Sequence, residues 1–264
     1  MARLFSYTSN QYLSVASAVL TTTPMTMACW FYSTHNDLDQ TLINISDNTA
    51  GQYDGFWLSL AGHAAGDYVR ANTYGSGHAY AVTATGYTIS AWQHACGVWS
   101  AADARAVYLN GANKGTDSGS QTPAGIDITS IGISIFDNST LDTPMNGRMA
   151  EVGIWNVALT DAEAAVLAKG ISPRSVRPES LVFYLPLVRD DDEDVVGGLS
   201  LTAVNGPTVV VHPRVFYLAT PQIGKTGAIA EIIAEIATVS WANVGKFAGV
   251  AEAAIAQIAG VIAN

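Results

Sequence analysis

Apolar and polar positions alternate over most of the first two hundred residues, in runs too short for helices. Side chains in a strand alternate with period two, so such runs read as strands half-buried on one face. The pattern predicts one or two strands over residues 3–15. Further strands are predicted over 25–32, 42–45, 55–60, 68–74, 78–83, 92–99, 105–110, 126–136, 147–155, 181–188, 199–204 and 208–211. Clusters of Gly, Asn, Asp, Ser and Pro separate them, as turns require. In the run 126–136, Ile131, Ile133 and Ile135 share a face, and 137–146 (DNSTLDTPMN) reads as a loop. In the strand that opens at Asn146-Gly147, Met149, Glu151, Gly153 and Trp155 are expected on one face. Ala150, Val152 and Ile154 are expected on the other. There the period changes. Thr160-Asp161-Ala162-Glu163 is a capping box, which predicts a short helix through Lys169 with Gly170 as its C′ residue. One helix among this many strands excludes a βαβ fold. The strand lengths and turn spacing predict an all-β, two-sheet antiparallel β-sandwich. Cys29, Trp30, Cys96, Val98, Val107, Ile133, Val152 and Ile154 are expected in strands and buried.

Residues 218–264 follow another rule. Ile233, Ile236 and Val239 are followed eleven residues later by Val244, Phe247 and Val250, and then by Ile255, Ile258 and Val261. Eleven residues make about three helical turns, so these positions form one apolar stripe roughly 120° wide. Gly249 and Gly260 interrupt it. A continuous helix and a series of short helical turns both fit. The stripe is too narrow to bury itself and implies a partner. The chain therefore divides into a sandwich at 1–217 and a helical repeat at 218–264, expected to anchor or oligomerise the protein. The expected partners are copies of the chain, a trimer foremost, or another protein.

Composition limits the function classes. Of 264 residues, 49% are apolar and 13% charged, which suits a large core and excludes a disordered chain. A formal net charge of −10 disfavours nucleic acid, whose binding needs clustered Lys and Arg. No run of about 18 apolar residues is present, so no membrane span is expected. The N-terminus lacks an apolar h-region, so no secretory signal is expected. Cys29 and Cys96 lie in apolar strands and are expected to be buried free thiols, with a cross-strand disulfide as the alternative. The acid run at 190–194 reads as a solvated loop or a cation site.

Four segments together resemble a known family. The stretch 146–160, NGRMAEVGIWNVALT, with a glutamate three residues on, resembles the last strand and helix of laminin-G-like (concanavalin A-like) jelly-roll domains. PMTMACWFY at 24–32, WQHACGVW at 92–99 and AVYLNGANKG at 106–115 resemble their early central strand, a later strand and the hairpin after it. The resemblance covers residues 1–217 and implies the same sandwich. Its relatives include lectins, glycosidases, polysaccharide lyases and adhesion modules, so it implies no single function.

A glycosidase needs two carboxyls facing each other about 5–10 Å apart. Family members that hydrolyse glucans carry Glu-x-Asp-x-x-Glu on one strand, and this sequence has no such spacing. Glu151, Glu163, Glu179 and Glu193 are isolated or in caps and loops, with Glu151 a lone strand acid. No catalytic residue is assigned, and no enzyme is expected. His94 reads as a satisfied core residue, while His63 and His78 sit near Gly-rich turns. Sugars stack on flat rings and bond to polar groups on loops. On that ground Tyr53, Asp54, Tyr74, His78 and Tyr80 are the candidate ligand-binding residues. Family members often hold Ca²⁺ at the sandwich rim. The resemblance therefore makes Asp137, Asn138 and Asp142 candidate Ca²⁺ ligands, being hard oxygen donors.

A lectin-like sandwich followed by an assembly repeat resembles structural proteins of tailed phage particles. The expected function is a virion or appendage surface protein that contacts host glycans, made without a signal peptide. The alternatives are an architectural decoration subunit without ligand and a glycan-degrading enzyme.

Overall fold

The computed structural model describes residues 2–188 and 192–216. The repeat positions Ile233 to Val261 lie outside the described residues. In chain order the strands begin with β1 (Ala2–Phe5), β2 (Tyr12–Val15), β3 (Met25–Ser33), β4 (Asp39–Ser46), β5 (Gly55–Ala61) and β6 (Tyr68–Tyr74). Next come β7 (His78–Val82), β8 (Gln93–Ala101), β9 (Ala104–Leu109), β10 (Ala112–Asp117), β11 (Ile128–Ile131) and β12 (Ser134–Phe136). Then follow β13 (Thr140–Asp142), β14 (Gly147–Trp155), the helix α1 (Asp161–Ala168), β15 (Leu181–Leu185), β16 (Thr202–Val204) and β17 (Thr208–Val210). They form two antiparallel sheets. One is ordered β10-β9-β8-β3-β14-β1-β17, with β15 also paired to β14. The other is ordered β16-β2-β11-β4-β5-β6-β7, and β12-β13 is a separate hairpin.

Alternation builds the core. Met27, Cys29 and Phe31 from β3 meet Phe56, Leu58 and Leu60 from β5 between the sheets, with Val107, Val152 and Ile154 in the same cluster. A second cluster lies behind the eight-stranded sheet, where α1 covers Cys96, Val98, Tyr108 and Trp155. Trp155 Nε1 donates to the carbonyl of Val176 at 2.7 Å, which satisfies its one polar atom. The capping box is formed: Thr160 accepts from the Glu163 amide, and Glu163 accepts from that of Thr160 at 2.8 Å. Gly170 follows at φ 87°, a left-handed position that glycine takes without strain.

The two cysteines sit on adjoining strands but on opposite faces. Cys29 pairs with Ala95, and Cys96 with Ala28. One points between the sheets and the other toward α1. Both are free and buried. Burial pushes both thiols up, Cys96 to about 12, so neither is a nucleophile near neutral pH.

Several expectations need correction. The run 126–136 is not one strand. Gly132, at φ 84°, breaks it between β11 and β12, which belong to different sheets. Ile131 enters the inter-sheet core, while Ile133, in the bend, and Ile135 join a satellite cluster. The 137–146 loop carries β13 as the hairpin return. In β14 a bulge at 150–153 resets the alternation, with Glu151 at φ 55°. Met149 therefore turns inward with Val152 and Ile154, and away from Trp155. Trp30 is only half-buried. Two members of the acid run are built into the fold rather than solvated. Asp192 holds Arg3 in a buried ion pair at 2.6 Å, and Asp194 accepts from the amides of Tyr184, Val196 and Gly197.

His94 is in the core but unsatisfied, since its Nδ1 has no hydrogen-bond partner. Burial lowers its pKa from 6.5 to about 3. The unfolded chain therefore binds this proton between pH 6.5 and 3 while the folded one does not, so stability must fall as pH drops through that window. At pH 5 the cost is about 2 kcal/mol. Urea unfolding at pH 7 and pH 5 should show this extra loss in the wild type and lack it in His94→Gln.

Candidate functional site

Because Phe56, Leu58 and Leu60 point inward, Trp57 and Ser59 must point out of the seven-stranded sheet. Arg70, Asn72 and Tyr74 on β6, and His78 and Tyr80 on β7, share that outer face by the same alternation. Pairing aligns them in rows: Trp57 with Asn72 and Tyr80, and Gly55 with Tyr74 and His78. The β12-β13 hairpin walls this platform on one side. It is pinned over β4 by polar bonds: Ser46 Oγ donates to the Ile135 carbonyl, and Thr41 Oγ1 bonds to Ser134 Oγ at 2.7 Å and Thr143 Oγ1 at 2.8 Å. Between hairpin and platform lies a cleft of about 360 Å³, lined by Tyr53, Trp57, Arg70, Tyr74, Phe136 and Asp142 among others.

The rings form a connected set. Trp57 stacks on His78 at 5.4 Å with 15° between planes, and His78 meets Tyr80 at 4.9 Å. Tyr53 packs on Phe136 at 5.2 Å and edge-on to Tyr74 at 6.3 Å. Beneath them runs a fixed polar chain. Asn72 Nδ2 donates to Ser59 Oγ at 2.8 Å and to the Trp57 carbonyl at 3.1 Å. Its amide orientation is then set, and Oδ1 takes the Nε2 proton of His78 at 3.2 Å. This tautomer leaves Nδ1 as an acceptor. Loss of solvent among the rings, and next the charges of Arg70 and Arg105, hold His78 below its ordinary pKa, so the ring is neutral at pH 7. At the other edge Arg70 Nη1 lies 3.8 Å from Asp39 Oδ2, and its Cζ stands 5.1 Å from the Tyr80 ring centroid. Such a surface has what a sugar site uses: flat apolar walls with a few fixed polar groups.

The structure brings Tyr53, Tyr74 and His78 into the cleft lining and sets Tyr80 beside His78 at its edge. Asp54 is elsewhere in role: its Oδ2 accepts from the Ala124 amide at 2.9 Å and braces a loop. The candidate Ca²⁺ ligands are tied into the hairpin. Asp137 accepts from the Gly51 amide and from the Tyr53 hydroxyl at 3.1 Å, which raises the pKa of that phenol. The Asn138 amide donates to the Asn48 carbonyl at 3.0 Å, and Asp142 Oδ1 accepts from the Thr143 amide at 2.8 Å. Among the described residues no three of His, Cys, Asp and Glu converge as a metal-holding group. Sequence reasoning missed Trp57, Arg70, Asn72, Phe136 and Asp39. For Trp57 the signal was present, since a tryptophan at the outward position of an apolar-alternating strand is a large ring given to solvent.

A family model described as the concanavalin A-like lectin/glucanases superfamily matches residues 7–165. The chain belongs to that superfamily. The matched segment runs from the start of the seven-stranded sheet into α1 and contains every cleft residue named above. Among solved structures, the superfamily sandwich is similar to a native heptameric SAP-like pentraxin from Limulus polyphemus. Identity is 14% and TM-score 0.54, covering 78% of this chain and 93% of that one. A putative carbohydrate binding protein from Bacteroides ovatus is 21% identical with TM-score 0.55, covering 78% of this chain and 58% of that one. The CBM40 of a Ruminococcus gnavus IT-sialidase, bound to α2,3 sialyllactose, is 18% identical with TM-score 0.46, covering 56% and 84%. At these identities the first two likenesses show the fold alone. No curated protein matches the chain.

Proposed function

We propose that this lectin-type sandwich binds glycans in the cleft on the outer face of its seven-stranded sheet. The observation that carries the reading is the joining of cleft-facing rings with fixed donors and acceptors in one concave place. Membership in a lectin/glucanase superfamily, and a fold shared with a protein described as a putative carbohydrate binding protein, support it. Glycan-array binding by the full chain, followed by calorimetry on the best binders, tests it. Absence of binding to any glycan would refute it.

The setting we propose is the surface of a virion or appendage, with residues 218–264 assembling the protein through the apolar repeat. The support is the repeat in the sequence: an exposed stripe of Ile, Val and Phe is an aggregation hazard unless covered. Removing residues 222–264 is expected to leave a folded monomer, while the full chain sediments as an oligomer or with a partner. Phe247→Asp should weaken assembly without unfolding the sandwich. A full chain that is monomeric and partnerless would refute the assembly role.

We also propose that the cleft binds without hydrolysing. Glu151 is buried behind the other sheet, accepting from the Tyr184 hydroxyl at 2.7 Å and lying 3.2 Å from His212. Glu163 is committed to the helix cap. No reducing ends are expected from polysaccharides. Turnover that disappears in Glu151→Gln or Asp39→Asn would show the opposite.

A further inference from the structure

We propose that the cleft selects uncharged sugars, through two adjacent hydroxyls held between Asp39 and Arg70, and disfavours sugars that carry a carboxylate. This rests on the glycan reading of the cleft. The motive is the unfinished contact between the two residues. Arg70 Nη1 and Asp39 Oδ2 are 3.8 Å apart, too far for a hydrogen bond. Arg70 Nε is buried without a partner, and the guanidinium makes no side-chain hydrogen bond among the described residues. Its remaining contacts are the long ion pair and the face of Tyr80. Asp39 is fixed from behind, since its Oδ1 accepts from the His63 amide at 3.1 Å, and Oδ2 faces Arg70. The gap thus opens onto the cleft with an acceptor on one side and a fork of donors on the other.

Two neighbouring ring hydroxyls complete that arrangement. One donates its proton to Asp39, and the oxygen of the other accepts from Arg70. Both are charge-assisted bonds, the stronger class. The charge balance supplies the selectivity. The ionisable lining is Asp39 and Asp142 against Arg70, with His78 neutral at pH 7 and Asp137 bonded behind Tyr53. A ligand carboxylate would meet more negative charge than positive, and its approach to Arg70 would pass Asp39. Asp39 would oppose it, whereas a hydroxyl pair satisfies both residues at once.

Calorimetry on the full chain decides the matter, with neutral gluco-, galacto- and manno-oligosaccharides, their uronic-acid or sialylated counterparts, and monodeoxy analogues. Neutral sugars should bind at least about tenfold more tightly than their acidic counterparts. Arg70→Gln and Asp39→Asn should each weaken neutral-sugar binding about tenfold or more. Because both residues hold one hydroxyl pair, the double variant should lose less than the two single losses combined. Arg70→Lys, which keeps the charge and removes the fork, should also weaken binding. Asp39→Asn should narrow the gap between neutral and acidic ligands, and thermal melts check that each variant is folded. Tighter binding of acidic sugars, or wild-type binding by both Asp39→Asn and Arg70→Gln while Trp57→Ala loses binding, overturns the proposal and leaves the cleft as a glycan site. Wild-type binding by Trp57→Ala, or no binding of any glycan, overturns both.

Discussion

Trp57→Ala is expected to lower glycan affinity about thirtyfold while the sandwich stays folded. The ring lies on the outer face of β5, stacked on His78 and lining the cleft. Truncating a tryptophan at the centre of a binding surface costs about 2 kcal/mol or more, which is roughly thirtyfold in affinity. Its neighbours Phe56 and Leu58 face the core and are untouched, so the stability cost should stay near 1 kcal/mol. Calorimetry with the best array ligand reads the first quantity and urea unfolding the second. A variant that binds as the wild type would remove the cleft from consideration. One that unfolds at the same urea concentration yet binds nothing would place the ligand on this ring.

Arg3→Met is expected to destabilise the sandwich by about 3–5 kcal/mol. Arg3 stands near the start of the chain and Asp192 near the end of the described fold, yet they share bonds of 2.9, 2.6 and 2.6 Å. Arg3 also donates to the Pro207 carbonyl at 3.0 Å, so it ties β1 to the segment leading into β17. Both side chains are almost wholly removed from water, at 4% and 5% exposure. That exposure decides the magnitude: a surface pair is worth about 0–1 kcal/mol, whereas losing one partner of a buried pair strands a charge in low dielectric. The double replacement Arg3→Met with Asp192→Leu should cost less than Arg3→Met alone, because the pair is then replaced by apolar groups rather than broken. Urea unfolding followed by tryptophan fluorescence at pH 7 measures all three. A loss under 1 kcal/mol for Arg3→Met would mean that water reaches the pair.

Local patterns carried much of the fold. Thr160 and Glu163 specify a cap through bonds only three residues apart, and they form it. The period-two runs place Cys29, Phe56, Leu58 and Val107 inside because alternation depends on the strand alone. Tyr74, His78 and Tyr80 were singled out by ring chemistry and their nearness to Gly-rich turns, and the alternation of β6 and β7 is what puts them on one face. Alternation fails where one residue breaks the count. Glu151 at φ 55° and Gly132 at φ 84° each turn the following side chains over, and neither position is distinguishable in the sequence from an ordinary strand residue or a turn glycine.

The sequence by itself determined an all-β antiparallel sandwich with one capped helix, and offered aromatic and polar residues as candidates to meet a ligand. Only the tertiary structure decided which of them meet. Asp39 and Arg70 are thirty-one residues apart, and Phe136 reaches Tyr53 across eighty-three. They come together because β4, β5 and β6 pair in register and the β12-β13 hairpin is pinned over β4. The acid run shows the same division. Sequence could register five acids in a row, but the burial of Asp192 against Arg3 depends on β1 pairing with β17, some two hundred residues later, to extend one sheet. Period and capping are encoded between near neighbours. A cleft or a buried ion pair exists only where distant segments are held within a few ångströms, and that placement is a property of the packed sheets.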